Sequence, residues 1–159
     1  MQGTIKTNMG DIVIDFFEKE TPETVNNFVK LAKSCFYDGV KFHRIINHFM
    51  IQGGDPLTKD ETKKRQWGTG GPGYKFDDEI GPANSNEMGT ISMANAGRNT
   101  NGSQFFINLA DNDFLNSKHT VFGRVVKGTE VVAAIGSVAT NSSDQPLEPV
   151  VIESVLFDQ

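Results

Sequence analysis

The sequence predicts a mainly β fold carrying two helices, and two observations lead there. Apolar residues come in short strand-length runs at Ile5 to Phe17, Thr90 to Ala94, Phe105 to Leu109, Val121 to Val126 and Val150 to Phe157, several of them alternating as a half-buried strand does. Only two segments repeat with a helical period, Val25, Phe28, Val29, Ala32 and the shorter Val131, Val132, Ile135, so strands outweigh helices.

Taken in order, Ile5 to Phe17 reads as a hairpin about Asn8-Met9-Gly10-Asp11, with Gly10 free to take a left-handed turn conformation. Ile12, Ile14 and Phe16 share one face, opposite Asp11, Val13 and Asp15. Thr21-Pro22-Glu23 is a helix start: a threonine N-cap, proline at the first helical position and an acid at the positive end of the dipole. Gly39 is expected to close this element after Phe36-Tyr37. Arg44 then stands alone among apolar residues in a strand that runs toward the Gly53-Gly54 turn. Pro56 to Asn86 is rich in Gly, Pro, Asp and Lys and reads as long loops within the domain. The four later strands follow, with a short helix at Thr129 to Ile135 before the last of them.

The 159 residues fit a single domain, residues 1–159, large enough to bury a substantial core. A net charge of −5 argues against a nucleic-acid partner, and Lys63-Lys64-Arg65 follows Asp60 and Glu61 as a solvated loop. No apolar run approaches the ~20 residues that span a bilayer, so no membrane partner is expected. Met1-Gln2-Gly3-Thr4 lacks the basic and apolar regions of a secretory signal. One cysteine, Cys35, allows no internal disulfide and fits a reducing compartment, the cytoplasm. A monomer is the simplest expectation for this size.

Two stretches carry the functional information. Met93 to Ile107 (Met-Ala-Asn-Ala-Gly-Arg-Asn-Thr-Asn-Gly-Ser-Gln-Phe-Phe-Ile) has Arg98 as its only charge and many small or amide residues. It can offer donors, acceptors and an apolar wall, but no nucleophile with a base beside it. Phe42 to Asp55 (Phe-His-Arg-Ile-Ile-Asn-His-Phe-Met-Ile-Gln-Gly-Gly-Asp) sets one arginine among apolar residues; by itself such an arginine snorkels or pairs with a carboxylate. Together the segments Phe-His-Arg-Ile-Ile, Phe-Met-x-Gln-Gly-Gly-Asp, Met-Ala-Asn-Ala-Gly and Asn-Gly-Ser-Gln-Phe-Phe-Ile closely resemble the cyclophilins, the peptidyl-prolyl cis/trans isomerases, in the family's own order from about Gly3 to Val155.

The resemblance implies a closed eight-stranded antiparallel β-barrel capped by two α-helices, and rotation about X-Pro bonds as the reaction. It implies Arg44 as the catalytic residue, donating toward the prolyl carbonyl and amide nitrogen. Phe49, Met50, Phe106 and Leu115 would grip the proline ring. Gln52, Gln104 and the backbone of Asn95 would anchor the chain, with Ala94 along the groove. His119, in Phe114-Leu115-Asn116-Ser117-Lys118-His119, matches a pocket-lining histidine. Phe114 matches a position often held by tryptophan in eukaryotic members, so cyclosporin-type inhibitors should bind weakly. Arg98 stands where the motif often has proline. The implied partners are proline-containing peptides and unfolded or loop segments of client proteins whose folding it assists, with no cofactor.

Other chemistry is less well supported. Gly68-Thr69-Gly70-Gly71-Pro72-Gly73 matches a dinucleotide-loop pattern, but neither a buried strand before it nor a helix after it is evident; it reads as a loop passing close to another surface, the rim of a peptide groove. His43, His48 and His119 have no metal-site spacing, and His43 reads as a hydrogen-bonded structural residue. Ser103 lacks a nucleophile-elbow context. Trp67 reads as a loop anchor. The alternative to catalysis is a proline-peptide-binding module or scaffold without turnover; a general holdase lacks a long exposed apolar segment.

Overall fold

The computed structural model describes residues 1–158. Eight strands form one antiparallel sheet: β1 (Gln2–Thr7), β2 (Gly10–Phe16), β3 (Arg44–Ile46), β4 (Met50–Gly53), β5 (Thr90–Met93), β6 (Phe105–Asn108), β7 (Val121–Lys127) and β8 (Ile152–Phe157). Helices α1 (Pro22–Lys33) and α2 (Thr129–Gly136) accompany them. The order across the sheet is β3-β4-β6-β5-β7-β2-β1-β8. α1 packs on β8, and α2 on β2, β3 and β4. Among the described residues no helix is long and apolar enough to cross a membrane.

Strand alternation decides the core. Ile45 pairs with Ile51, Ile51 with Ile107 and Ile107 with Ile91, and all four side chains are buried in one cluster with Ile5, Ile12, Ile14 and Phe16. Phe28 of α1 is the aromatic hub, its ring 5.1–5.7 Å from those of Phe16, Tyr37, Phe105 and Phe122. The Tyr37 hydroxyl, buried with its ring, donates to the Ser103 carbonyl at 2.9 Å; burial pushes its pKa far up, so it stays a donor.

Three expectations change. The sheet is open between its edge strands β3 and β8 rather than closed by a strand ladder. The chain before β8 carries Pro146 and Pro149, which lack the N–H a ladder requires. What spans the gap is a single bridge, Lys41 with Val151, and a few main-chain bonds such as Phe42 N–H to Val150 C=O at 2.9 Å and Ile45 N–H to Asp144 C=O at 2.9 Å. Next, α1 ends at Lys33 and not at Gly39. Cys35 takes the left-handed conformation (φ 62°), while the N–H groups of Cys35 and Phe36 return to the carbonyls of Ala32 and Leu31 at 3.0 Å, the bonding of a Schellman termination. Gly39 (φ 84°) serves the following turn. Finally, Thr21 occupies the N-cap position of α1 without capping it: its hydroxyl donates to Phe17 C=O. The carboxylate of distant Glu79 takes the free donors instead, Thr24 N–H at 2.6 Å, Thr24 Oγ1 at 2.7 Å and Glu23 N–H at 3.3 Å.

The long middle segment contains two 3₁₀ turns, Pro56–Lys59 and Glu61–Gln66, and otherwise runs as loop to residue 89. Trp67 anchors it as expected. Its indole N–H is shared between the carbonyls of Leu57 and Asp60 at 3.1 and 3.2 Å, and the Lys41 and Lys64 ammonium groups lie over its ring.

Candidate active site

The face of the sheet opposite the isoleucines carries the site. Arg44 on β3 pairs in register with Gln52 on β4, Gln52 with Phe106 on β6, and Phe106 with Ser92 on β5. The next row is Ile46, Met50 and Asn108. Period-two alternation thus puts a cation, an amide and an aromatic ring side by side once Ile45, Ile51 and Ile107 point inward. Arg44 is exposed, and among the described residues no carboxylate pairs with it. Its Nη1 donates only a long bond, 3.5 Å, to Gln52 Oε1.

Met50 and Phe106 are buried because the chain from Leu109 to Thr120 folds back over that row. Buried amides hold this cover. Asn112 Nδ2 donates to the Phe49 carbonyl at 3.0 Å and to Asn108 Oδ1 at 2.8 Å, while Asn108 Nδ2 donates to Asn86 Oδ1 and Thr90 Oγ1 at 3.1 and 3.0 Å. Phe49 lies half-buried in the turn before β4 and stacks on Phe114, rings 6.0 Å apart, which is 66% exposed. Leu115 is half-buried in the turn that follows. The His119 ring meets Phe106 edge to face at 5.2 Å. Its Nδ1 lies 2.8 Å from the Met93 carbonyl, which can only accept, so Nδ1 donates there.

A groove of about 850 Å³ adjoins this row. Gln52, Ala94, Asn95 and Gln104 line it together with residues 68–75, so the glycine segment borders a groove. Gln104 Nε2 donates to the carbonyls of Gly68 and Gly70, both at 2.9 Å, and its Oε1 accepts from Gln52 Nε2 at 3.0 Å. Ala94 N–H donates to Gln104 C=O. The Asn95 side chain bonds to Lys118 C=O, while its own backbone N–H and C=O have no protein partner among the described residues. Ser103, also on the groove, is 1% exposed and donates to Gly54 C=O at 2.7 Å, so it is a strut and not a nucleophile.

The eleven residues expected at the site therefore fall on one connected surface, with Met50 and Phe106 beneath it. His43 and His48 are elsewhere. His48 is an exposed turn residue with φ 64°. His43 is buried, as a structural residue should be, but its Nδ1 has no hydrogen-bond partner among the described residues. Desolvation pushes its pKa down and Arg44 adds to that, while Asp55 and a hydrogen bond to the Lys41 backbone oppose it. Sequence reasoning missed Thr100 on the groove and the buried amides Asn86, Asn108 and Asn112; an asparagine inside the apolar Phe105 to Leu109 strand was the available signal. Arg98 is exposed at the tip of its loop, and nothing in the structure explains it.

Comparison with known proteins agrees with this geometry. Residues 3–156 match the family model for the cyclophilin type peptidyl-prolyl cis-trans isomerases. The chain is 49% identical to peptidyl-prolyl cis-trans isomerase ppi1 of Schizosaccharomyces pombe, over 93% of each chain. It is 46% identical to human peptidyl-prolyl cis-trans isomerase-like 1, over 93% of this chain and 87% of that one. A cyclophilin type isomerase of Cryptosporidium parvum, crystallised in the presence of the dipeptide Ala-Pro, superposes with a TM-score of 0.92 at 33% identity, covering 100% of this chain and 99% of the other. The chain belongs to the cyclophilin family of peptidyl-prolyl cis/trans isomerases.

Proposed function

We propose that this single domain isomerises X-Pro bonds in proline-containing peptides and in unfolded or loop segments of client proteins, with Arg44 as its catalytic residue. The carrying observation is the cross-strand row Arg44, Gln52, Phe106, which sets a guanidinium free of carboxylates beside an aromatic wall. An X-Pro bond resists rotation because resonance gives a barrier of roughly 18–20 kcal/mol. Rotation makes and breaks no covalent bond, so the site needs only to favour the twisted state over both planar ones.

As the bond twists, the prolyl nitrogen regains its lone pair. Arg44 donates to it and to the carbonyl, and such a charge-assisted bond is worth about 1.5–3 kcal/mol, or roughly 10- to 150-fold if made only in the transition state. Phe49, Met50, Phe106, Leu115 and His119 hold the proline ring, and Phe114 extends that wall outward. Gln52, Ala94, the backbone of Asn95 and Gln104 hold the flanking chain. Holding the ring while the preceding residue turns requires both groups. The work of such an enzyme is assistance to folding, and the single cysteine suits a cytoplasmic location.

The test is exchange NMR on an Ala-Pro peptide. Arg44→Ala should lower kcat/KM by at least tenfold with the fold intact; equal rates for both proteins would sink the assignment. A module that only binds has no use for an unpaired guanidinium, and would capture peptide equally well after Arg44→Ala.

A further inference from the structure

Asp55 is a charged side chain with none of its surface exposed, and among the described residues no cation pairs with it. A buried carboxylate persists only where donors replace its water. Here the donors are backbone. Oδ1 accepts from Leu57 N–H at 2.8 Å, which caps the local turn. Oδ2 accepts from Gly68 N–H at 2.6 Å and Gly70 N–H at 3.1 Å, far along the chain on the groove rim. A side chain at Gly70 would overlap the carboxylate, and Gly68 has φ +102°.

The same two glycines give their carbonyls to Gln104. Gln104 Oε1 accepts from Gln52, and Gln52 Oε1 accepts from Arg44. From the guanidinium to the carboxylate, every bond therefore points the same way: Arg44 to Gln52, Gln52 to Gln104, Gln104 to the rim carbonyls, rim N–H groups to Asp55. At Gly68 and Gly70 the link passes through backbone position, since each residue's N–H and C=O lie in successive peptide planes, and the Gln104-to-rim bonds fix which end of each glutamine amide points toward Arg44.

We propose that Asp55 is a positioning residue for the isomerase: it sets the glycine rim and, through Gln104 and Gln52, the pose of the Arg44 guanidinium. The proposal rests on the reading of Arg44 as catalytic. Asparagine at 55 has nearly the same shape but cannot accept at both ends, so its NH₂ must face either Leu57 N–H or the rim N–H groups. The rim loosens, Gln104 loses its fixed orientation, and Arg44 is no longer held by Gln52.

The test is a double-mutant cycle with Asp55→Asn and Arg44→Ala, using line-shape NMR on an Ala-Pro peptide to separate binding from interconversion. Asp55→Asn is expected to lower kcat/KM roughly tenfold, mostly in kcat, and less than about twofold further in the Arg44→Ala background, since coupled residues are not additive. A folded Asp55→Asn protein with wild-type kcat, or equal losses in both backgrounds, overturns the proposal. If Asp55→Asn does not fold, Gly70→Ala, which presses on the same carboxylate while keeping its charge, is carried through the same cycle and judged by the same outcomes. An Arg44→Ala protein as fast as wild type sinks the parent reading instead, whatever Asp55 does.

Discussion

Phe114 stands at the edge of the candidate site. Its ring stacks on Phe49 yet stays two-thirds exposed, so it adds an apolar lip and no donor. An indole would add an N–H and more area. Phe114→Trp should leave isomerisation of a short peptide within about threefold while tightening a cyclosporin-type inhibitor by at least about tenfold, roughly 1.4 kcal/mol. Calorimetry on both proteins checks this, and equally tight binding before and after the change would show that the lip is not what limits the inhibitor.

At the scale of elements, α1 depends on a residue far from it in sequence. Glu79 supplies the N-terminal acceptors that Thr21 does not. Glu79→Ala should cost about 1–2 kcal/mol, seen as a lower urea midpoint at unchanged slope, while Thr21→Val should cost less at the helix start. An unchanged midpoint for Glu79→Ala would assign the helix start to another acceptor. Thr21-Pro22-Glu23 located the start of α1 correctly from sequence, because proline and a following acid are local signals. The cap was not legible, since an acceptor 55 residues away leaves no trace in a short window. The same limit explains Gly39: a left-handed cysteine ended the helix where only glycine or asparagine would have been sought.

For the whole molecule, buried histidine makes stability depend on pH. The His43 pKa is lowered by desolvation first and by Arg44, against the pull of Asp55. The unfolded chain then binds a proton near pH 6.5 that the folded chain resists, so stability is full above that pH and falls as pH drops below it. Urea midpoints between pH 7.5 and 5.5 should decline more steeply for wild type than for His43→Gln; parallel lines would mean the ring is not neutral in the fold. Of the fold as a whole, alternation at Ile12, Ile14 and Phe16 and the paired isoleucines made the sheet readable. Open edges were not, because whether β3 and β8 join is decided by the Pro146 to Pro149 stretch, which lies far from β3 in the sequence. The motifs brought the candidate residues to one surface, but what supports them was not legible: Asp55 sat inside a quoted motif with no visible role, since its partners Gly68 and Gly70 carry no side chains to announce them.

Loop is an incomplete description of residues 76–84. Phe76 exchanges main-chain bonds with Asn101, Asp78 ties Asn99 and Asn101, Glu79 holds Thr24 and meets Thr120, and Asn84 spans the carbonyls of Asn116 and His119. Between these fixed points the chain behaves as a ruler. Deleting one residue from 76–79 would pull the helix start and the groove loop out of step with each other, whereas the exposed Gly81-Pro82-Ala83 has slack to accept an insertion. Length, as much as composition, is what that stretch encodes.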